Sequence, residues 1–223
     1  MGWLSSACSF IGSCISGACS VVSSAVSSIG SAMAGVAGAL LKVATPYLSA
    51  LMTIVNVVSK ILGILNPNET PEELGDKAMR SDKTPEDFDT TQEYIAHLRE
   101  EVDFDKEEFD KLSDEDKLAR SAIGTAISMK AINEEKGFEV SVDTWVTITK
   151  LHEKGLLDKD NLDAFLEEFK EDQPEINEYV NDKLNGNEEL EVAGALSEAY
   201  KKLEPELSTE AINDKVLSSK IGE

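Results

Sequence analysis

The fold is decided by residues 1–68, which read MGWLSSACSFIGSCISGACSVVSSAVSSIGSAMAGVAGALLKVATPYLSALMTIVNVVSKILGILNPN. This stretch has only two charged side chains, Lys42 and Lys60, in a chain in which 29% of the residues are charged. Apolar surface of this extent has to be covered by protein or by lipid, because folded proteins rarely leave it in contact with water. We therefore expect these residues either to enter a membrane or to be packed inside the protein.

The composition changes abruptly at Asn66-Pro67-Asn68. Residues 1–68 carry two lysines and no acid, a net charge of +2, whereas residues 69–223 carry all 43 acids and the other 19 bases, a net charge of −24. We predict a membrane-inserting hydrophobic helical region at 1–68 and an acidic soluble helical domain at 69–223. Such a domain repels phosphate backbones, which argues against a nucleic-acid partner and favours cationic ones.

Two series of residues follow helical spacing in the apolar region and define opposite faces of a helix. One face is aliphatic, and the other consists of small or hydroxyl-bearing residues. Small residues let helices approach closely in a bilayer, and serines can hydrogen-bond across helices or line a wet pathway. The candidate pore-lining or helix-packing residues are therefore Ser9, Ser13, Ser16, Ser20, Ser23, Ser27, Gly30 and Ala34.

The segment from Lys42 to Pro46 predicts a break between two apolar helices, with Thr45 as the N-cap and Pro46 at the first helical position. A second helix from Pro46 to Leu65 would be about 30 Å long, which matches the hydrocarbon thickness of a bilayer, and Lys60 could reach the interface. Together with residues 20–41 it predicts a helical hairpin that turns near Lys42. The membrane-hairpin residues are Val22, Val26, Ile29, Met33, Leu40, Lys42, Pro46, Leu51, Ile54, Val58, Lys60 and Leu65.

Helix-start signals follow one another in the acidic region. Thr70-Pro71-Glu72-Glu73 is a capping box with proline at the first helical position, and Thr84-Pro85-Glu86-Asp87 nearly repeats it. Further helices are predicted, among them 91–101, 105–112, 114–136, 142–154 and 159–170, and Gly137, Gly155 and Gly186 stand where helices should end. The sequence thus predicts an all-α protein, with an apolar Gly/Ser-rich hairpin and an acidic multi-helix bundle.

The sequence contains no pattern that indicates catalysis, so we expect neither an enzyme nor a bound cofactor or metal. His152 lacks the second histidine of a metalloprotease helix, and His97 has glutamates four residues to either side, a pattern typical of an exposed helix face. The acidic run at 158–163 departs from a calcium loop at its fifth and sixth positions. Cys8, Cys14 and Cys19 suit small apolar filler better than a disulfide framework.

The chain resembles the small antibacterial pore-forming effectors of the bacterial type VI secretion system. The resemblance consists of the size, the start Met1-Gly2-Trp3-Leu4-Ser5-Ser6 without a secretory signal pattern, and a Gly/Ser/Ala-rich apolar region followed by an acidic helical domain. It implies export by a secretion-system carrier without a cleavable signal, insertion into the inner membrane of a target cell, ion leakage and depolarisation. It also implies a cognate immunity protein.

Two helices without charge cannot enclose much water, so a pore would need several copies of the chain in the bilayer. An acidic domain at its mouth would concentrate cations, which predicts cation selectivity. Before delivery, a soluble form could shelter the hairpin among the acidic helices.

Three other interpretations remain open at the level of sequence. The apolar helices could simply be a buried pair in a soluble all-α protein. The chain could instead be a phage-ejection protein or a structural membrane-anchored protein. It could also be an adaptor whose acidic helical domain binds a basic partner.

Overall fold

The computed structural model describes the backbone of residues 3–43 and 46–222, and the side-chain surroundings of residues 14–42 and 46–222. Within these residues every regular element is helical and no strand is formed, which confirms the all-α fold. The α-helices are α1 (Trp3–Ser24), α2 (Val26–Ile29), α3 (Ser31–Val43), α4 (Leu48–Ile61), α5 (Pro71–Arg80), α6 (Thr91–Glu101), α7 (Lys106–Asp110), α8 (Asp114–Lys136), α9 (Val142–Glu153), α10 (Leu162–Glu168), α11 (Gln173–Val180), α12 (Gly186–Leu203) and α13 (Thr209–Ser218).

The chain forms two compact units, Met1–Gly137 and Phe138–Glu223. The change of composition after residue 68 therefore falls inside the first unit. Helices α1–α4 and the acidic helices α5–α8 belong to the same compact body. The membrane-inserting role assigned to residues 1–68 remains a prediction.

Helix α8 lies at the centre of the first unit, and α1, α3, α4, α5 and α6 all pack against it. Ser113 caps its start by accepting a hydrogen bond from the amide of Asp116, and Gly137 ends it in the left-handed conformation, with φ 73°. The helix is buried almost continuously from Ala119 to Ile132, since most of its residues there are alanine, isoleucine, serine or threonine. Such small and aliphatic side chains suit a helix that is surrounded on several sides.

The closest helix pair in the unit is α5 with α8, and their backbones touch where they cross. A Cβ atom on Gly75 would lie 1.8 Å from the carbonyl oxygen of Arg120, and one on Gly124 would lie 1.8 Å from that of Pro71. Next to this crossing Asp76 is fully buried, with Arg120 Nε and Arg80 Nε each 2.8 Å from one of its carboxylate oxygens. Buried charge of this kind requires paired partners, and the two arginines supply them.

Helix α5 begins as the capping box predicts, because the Thr70 side chain accepts a hydrogen bond from the amide of Glu73. The near-copy at Thr84 gives only a single 3-10 turn over Pro85–Asp87, although its box is formed. The chain becomes extended at Phe88, with φ −127° and ψ 151°, so the turn does not continue as an α-helix. Prediction of a second full helix at this point is wrong.

The apolar region is divided more finely than the sequence predicts. Residues 20–41 contain parts of three helices, because the chain breaks after Ser24 and again at Gly30, where φ is 76°. Pro46 lies in a turn and Tyr47 is the N-cap of α4, so Pro46 is not the first helical residue as predicted. Helix α4 ends at Ile61 rather than Leu65, because Gly63 turns the chain with φ 71°. The predicted cap Thr45 lies outside the described residues.

The predicted hairpin near Lys42 is not confirmed. Helix α3 packs chiefly against α8, α1 and α2, whereas α4 packs chiefly against α8. The two apolar helices thus meet a common partner rather than forming a tight pair of their own. Among the described residues we find no helix with both the length and the apolar character needed to cross a membrane.

The second unit is built from α9–α13, with α11 packed on α9 and α12, and α12 packed on α10 and α13. Its fully buried aromatic residues include Trp145 and Tyr200. Residues 221 and 222 return to α11, where their amides donate hydrogen bonds to the carbonyl of Val180. Gly186 begins α12 instead of ending a helix, which corrects its predicted role.

Candidate functional site

The candidate site is the exposed surface of α1, α2 and α3, which carries no acidic residue and has Lys42 at the end of α3. We call the side chains of Ser16, Ser20, Ser23 and Ser27 the serine face, and all four are exposed to solvent. These four of the predicted pore-lining or helix-packing residues therefore share an exposed surface. Ser9 and Ser13 have side chains outside the described set, Gly30 is buried, and Ala34 is half-buried.

Hydroxyl groups on and beside the serine face are bound within their own helix. Ser20 Oγ donates to the carbonyl of Ser16 at 3.1 Å, and Ser23 Oγ donates to that of Cys19 at 2.8 Å. Ser24 Oγ likewise donates to Val21 at 2.8 Å. Hydrogen bonds of this type accompany the helix wherever it goes, because neither partner belongs to another element.

The opposite face of α1–α3 is aliphatic and points into the first unit. Val22, Ile29, Met33 and Leu40 are each at most 2% exposed. Val26, which the sequence places on the same face, is 39% exposed because it follows the break at Ala25. These helices are therefore amphipathic without charge, as their spacing predicts.

Helix α4 has the same two-sided character. Leu51, Ile54 and Val58 are buried, and Leu65 is buried in the segment that follows the helix. Lys60 of α4 is half-buried. Lys42, at the end of α3, and Pro46, in the turn before α4, are exposed. Ile61 is also 52% exposed at the end of the helix.

Two glutamates of the acidic region are seated on glycines of the apolar helices, and sequence reasoning missed both contacts. A Cβ atom on Gly17 of α1 would lie 2.5 Å from Cγ of Glu115, and one on Gly30 would lie 2.3 Å from Oε1 of Glu86. Each glycine thus leaves the space that a glutamate side chain occupies. Glycine in a serine-rich helix carries too little information to reveal such a partner from sequence alone.

Electrostatic effects near these contacts follow from the burial of groups beside carboxylates. Burial raises the pKa of the Cys14 thiol, and the nearby charges of Glu115 and Asp114 raise it further. Burial also raises the pKa of the Tyr94 phenol, with a smaller contribution from Glu86. Both effects keep these groups neutral at physiological pH.

His97 lies beside an open cavity of about 640 Å³ that is lined by residues of 80–83 and 97–103. Its Nε2 is 3.5 Å from Ser81 Oγ, but that hydroxyl already donates to the carbonyl of Lys83 and accepts from its amide. His97 also packs on the ring of Phe88, with centroids 5.2 Å apart, so it is half-buried rather than exposed. This geometry suits a turn that is held in place better than a nucleophile and its base.

His152, the other histidine, lies in the last turn of α9 with Nδ1 2.7 Å from the carbonyl oxygen of Leu157. Within the described part of the chain, no group of three or more histidine, cysteine, aspartate or glutamate side chains is arranged to hold a metal ion. Comparison with family models, with curated proteins and with solved structures gave no match.

Proposed function

We propose that the protein is an antibacterial pore-forming toxin. In this proposal α1–α4 enter the inner membrane of a target cell, several copies associate there, and the resulting cation-selective pore causes ion leakage and depolarisation. Delivery without a cleavable signal and protection by an immunity protein belong to the same proposal. The observation that carries it is the serine face, a charge-free exposed surface on helices whose other face is aliphatic.

The absence of charge on this exposed surface is what distinguishes it from an ordinary helical surface. Solvent-facing helix positions are usually occupied by lysine and glutamate, which cost about 3 kcal/mol each near the middle of a bilayer. Serine, glycine and alanine have a far smaller cost, and their small size allows close contact between helices. The hydroxyls of Ser20 and Ser23 are already bonded within their own helix, so transfer to lipid leaves these two groups satisfied.

Insertion requires helix α4 to lengthen. Helix α4 has 14 residues, about 21 Å, whereas a bilayer core is about 30 Å thick. Residues 46–47 and 62–65 flank α4 and are free of charge, so extending the helix into them restores the predicted span 46–65. We expect the helical content measured by circular dichroism to rise when the protein binds vesicles.

Planar-bilayer recordings on the full chain test the proposal. Ser20→Glu together with Ser27→Glu places two carboxylates on the serine face, where both positions are exposed and the fold should tolerate them. We expect this variant to lose conductance. Leu190→Glu with Ala195→Glu is the matched control, because it adds the same charge at exposed positions of α12.

The control should conduct like the parent. Full conductance in the serine-face variant would show that α1–α3 do not enter the bilayer. A parent chain that passes no ions would contradict the pore altogether.

A further inference from the structure

Within the first unit, α8 is held to its neighbours by two different kinds of contact. Towards α5 it makes a backbone crossing at Gly75 and Gly124, next to the buried pairing of Asp76 with Arg120. Close backbone packing and buried, paired charge are both lost steeply when helices separate, because neither tolerates a gap. The pair α5–α8 is therefore difficult to pull apart.

Helix α6 is fixed to the same partner by directional bonds. At the start of α6, the amide and the hydroxyl of Thr91 donate to the two carboxylate oxygens of Glu134 at 2.7 and 2.6 Å. The carboxylate thus caps one helix while it belongs to another. Helices α5, α6 and α8 form a connected body that we call the acidic platform.

Towards α1, α3 and α4, the buried residues are mainly aliphatic, and Glu115 against Gly17 of α1 is a charged exception. Met33 and Leu40 of α3 and Val58 of α4 are almost fully buried, and they contribute no polar atoms. Ser59, which follows Val58 in α4, is also buried, and its hydroxyl donates a hydrogen bond to the carbonyl of Val55 in the same helix. Aliphatic contact is non-directional, so lipid chains can replace it at little cost.

Charge works in the same direction. Residues 69–137 carry 21 acids and 10 bases, a net charge of −11, whereas residues 1–68 carry +2. A bilayer that contains anionic lipid therefore repels the platform, whereas it does not repel α1–α4, whose charges are the two lysines. In water the separation is unfavourable, since it exposes the covered sides of α8.

We infer that α1–α4 leave α8 as a group when the protein meets an anionic bilayer, while α5, α6 and α8 stay packed together. This inference rests on the proposed function, since it describes how the stored helices are released. The contact of Gly17 with Glu115 lies on the surface that has to open. The crossing of Gly75 with Gly124 lies on the surface that stays closed.

Distances between spin labels test the inference on the full chain, with Cys8, Cys14 and Cys19 replaced by alanine. One pair joins Ser20 of α1 to Lys130 of α8, and the control pair joins Glu100 of α6 to Lys130, all at exposed positions. On addition of vesicles of phosphatidylethanolamine and phosphatidylglycerol, we expect the first distance to lengthen and the second to stay unchanged. An unchanged first distance, or lengthening of both, would overturn the inference.

A disulfide provides the second measurement. In Gly17→Cys with Glu115→Cys the two Cβ atoms would lie about 3.1 Å apart, close to the separation that a disulfide needs. We expect vesicle leakage to fall to the background when this pair is oxidised and to return on reduction. Equal leakage in both states would show that α1 does not need to leave α8.

The two hypotheses fail in different ways. If the first label distance lengthens but the parent chain causes no leakage, the release is correct and the pore is wrong. If the parent chain causes leakage while that distance stays fixed, the pore stands and the release is wrong. A disulfide variant that is inactive even when reduced leaves the decision to the label distances, which do not depend on leakage.

Discussion

Gly75 of α5 and Gly124 of α8 lie at a crossing where either residue, given a Cβ atom, would place it 1.8 Å from a carbonyl oxygen of the other helix. Real atoms do not approach so closely, so alanine at either position has to force the helices apart. Since α8 is also the partner of α1, α3 and α4, displacement of this pair disturbs the whole first unit. The crossing is therefore the most sensitive point of that unit.

We expect Gly75→Ala and Gly124→Ala each to destabilise the first unit by about 1–3 kcal/mol or more, the range for overpacking. Hydrogen exchange of the α8 amides measures the effect. Gly38→Ala is the control, because no atom beyond its chain neighbours and the backbone of its own helix lies within 4 Å of its Cβ position in α3. Removal of a flexible glycine there should leave stability unchanged or raise it by up to about 1 kcal/mol. Equal effects at all three positions would contradict the crossing.

Asp76→Asn should be severely destabilising. The substitution keeps the size of the side chain but leaves Arg80 and Arg120 without their buried counter-charge, at a cost of about 3–5 kcal/mol. Thermal unfolding and exchange of α8 measure the loss. Asp110→Asn is the comparison, since its partner Lys106 is 3.5 Å away and both side chains are largely exposed. Asp110→Asn should change the free energy of unfolding by no more than about 0.5 kcal/mol.

Leucine at Ser20, on the serine face, and at Ser24, beside it, tests the role of this surface without adding charge. Both side chains are exposed and bond only within α1, so the double variant Ser20→Leu with Ser24→Leu should fold normally. We expect a lower single-channel conductance or weaker assembly, because bulky side chains would separate the helices that contact each other in the pore. An unchanged current with unchanged assembly would remove this face from the proposed pore.

Glu69 should make the first unit sensitive to acid. Burial alone would raise its pKa, but hydrogen bonds from Arg99 and from Asn66 reverse the shift, so the pKa lies below its ordinary value of 4.5. A carboxylate with a lowered folded pKa stabilises the protein above its unfolded pKa, and this stability is lost as the pH falls through the folded pKa. The contribution is therefore fully present at pH 7, begins to fall near pH 4.5, and is lost once the pH lies below the lowered folded pKa.

Glu69→Gln should reduce the difference between the free energies of unfolding at pH 7 and pH 3. Hydrogen exchange of the α8 amides at increasing urea concentrations measures both free energies. The pairing with Arg99, at 2.5 and 2.8 Å, is partly exposed, so we expect a loss of about 1 kcal/mol at pH 7. Glu101→Gln, at an exposed position of α6, should leave the pH dependence as it is. A steeper pH dependence in Glu69→Gln would contradict the assigned role.

Helix boundaries that are marked by local chemistry could be predicted from the sequence. Helices α6 and α8 run from 91 to 101 and from 114 to 136, as predicted, because a threonine and a serine cap their starts and Gly137 stops the second. The hairpin, which is not confirmed, depends on which helices pair with each other rather than on local chemistry. Periodicity reports which side of a helix is apolar, but it does not report which helix covers that side.

The role of α8 illustrates this limit. Its sequence predicts one of several helices of the acidic region, yet α8 is the common partner of the apolar helices α1, α3 and α4. In the candidate site, the serine face and the aliphatic face could be predicted from the sequence. The contacts of Glu86 with Gly30 and of Glu115 with Gly17 could not. Those contacts join distant parts of the chain and leave no regular spacing.

The position of α8 along the chain also affects synthesis. Helices α1–α4 end at Ile61, whereas α8, the surface that covers their aliphatic side, is complete only at Lys136. At about 5–20 residues per second, a ribosome needs several seconds to make the intervening segment. During that interval α8 cannot yet cover the aliphatic side of α1, α3 and α4. On the proposed pore function, the newborn chain would therefore expose the side that the finished protein covers, and the producer would need protection from that form first.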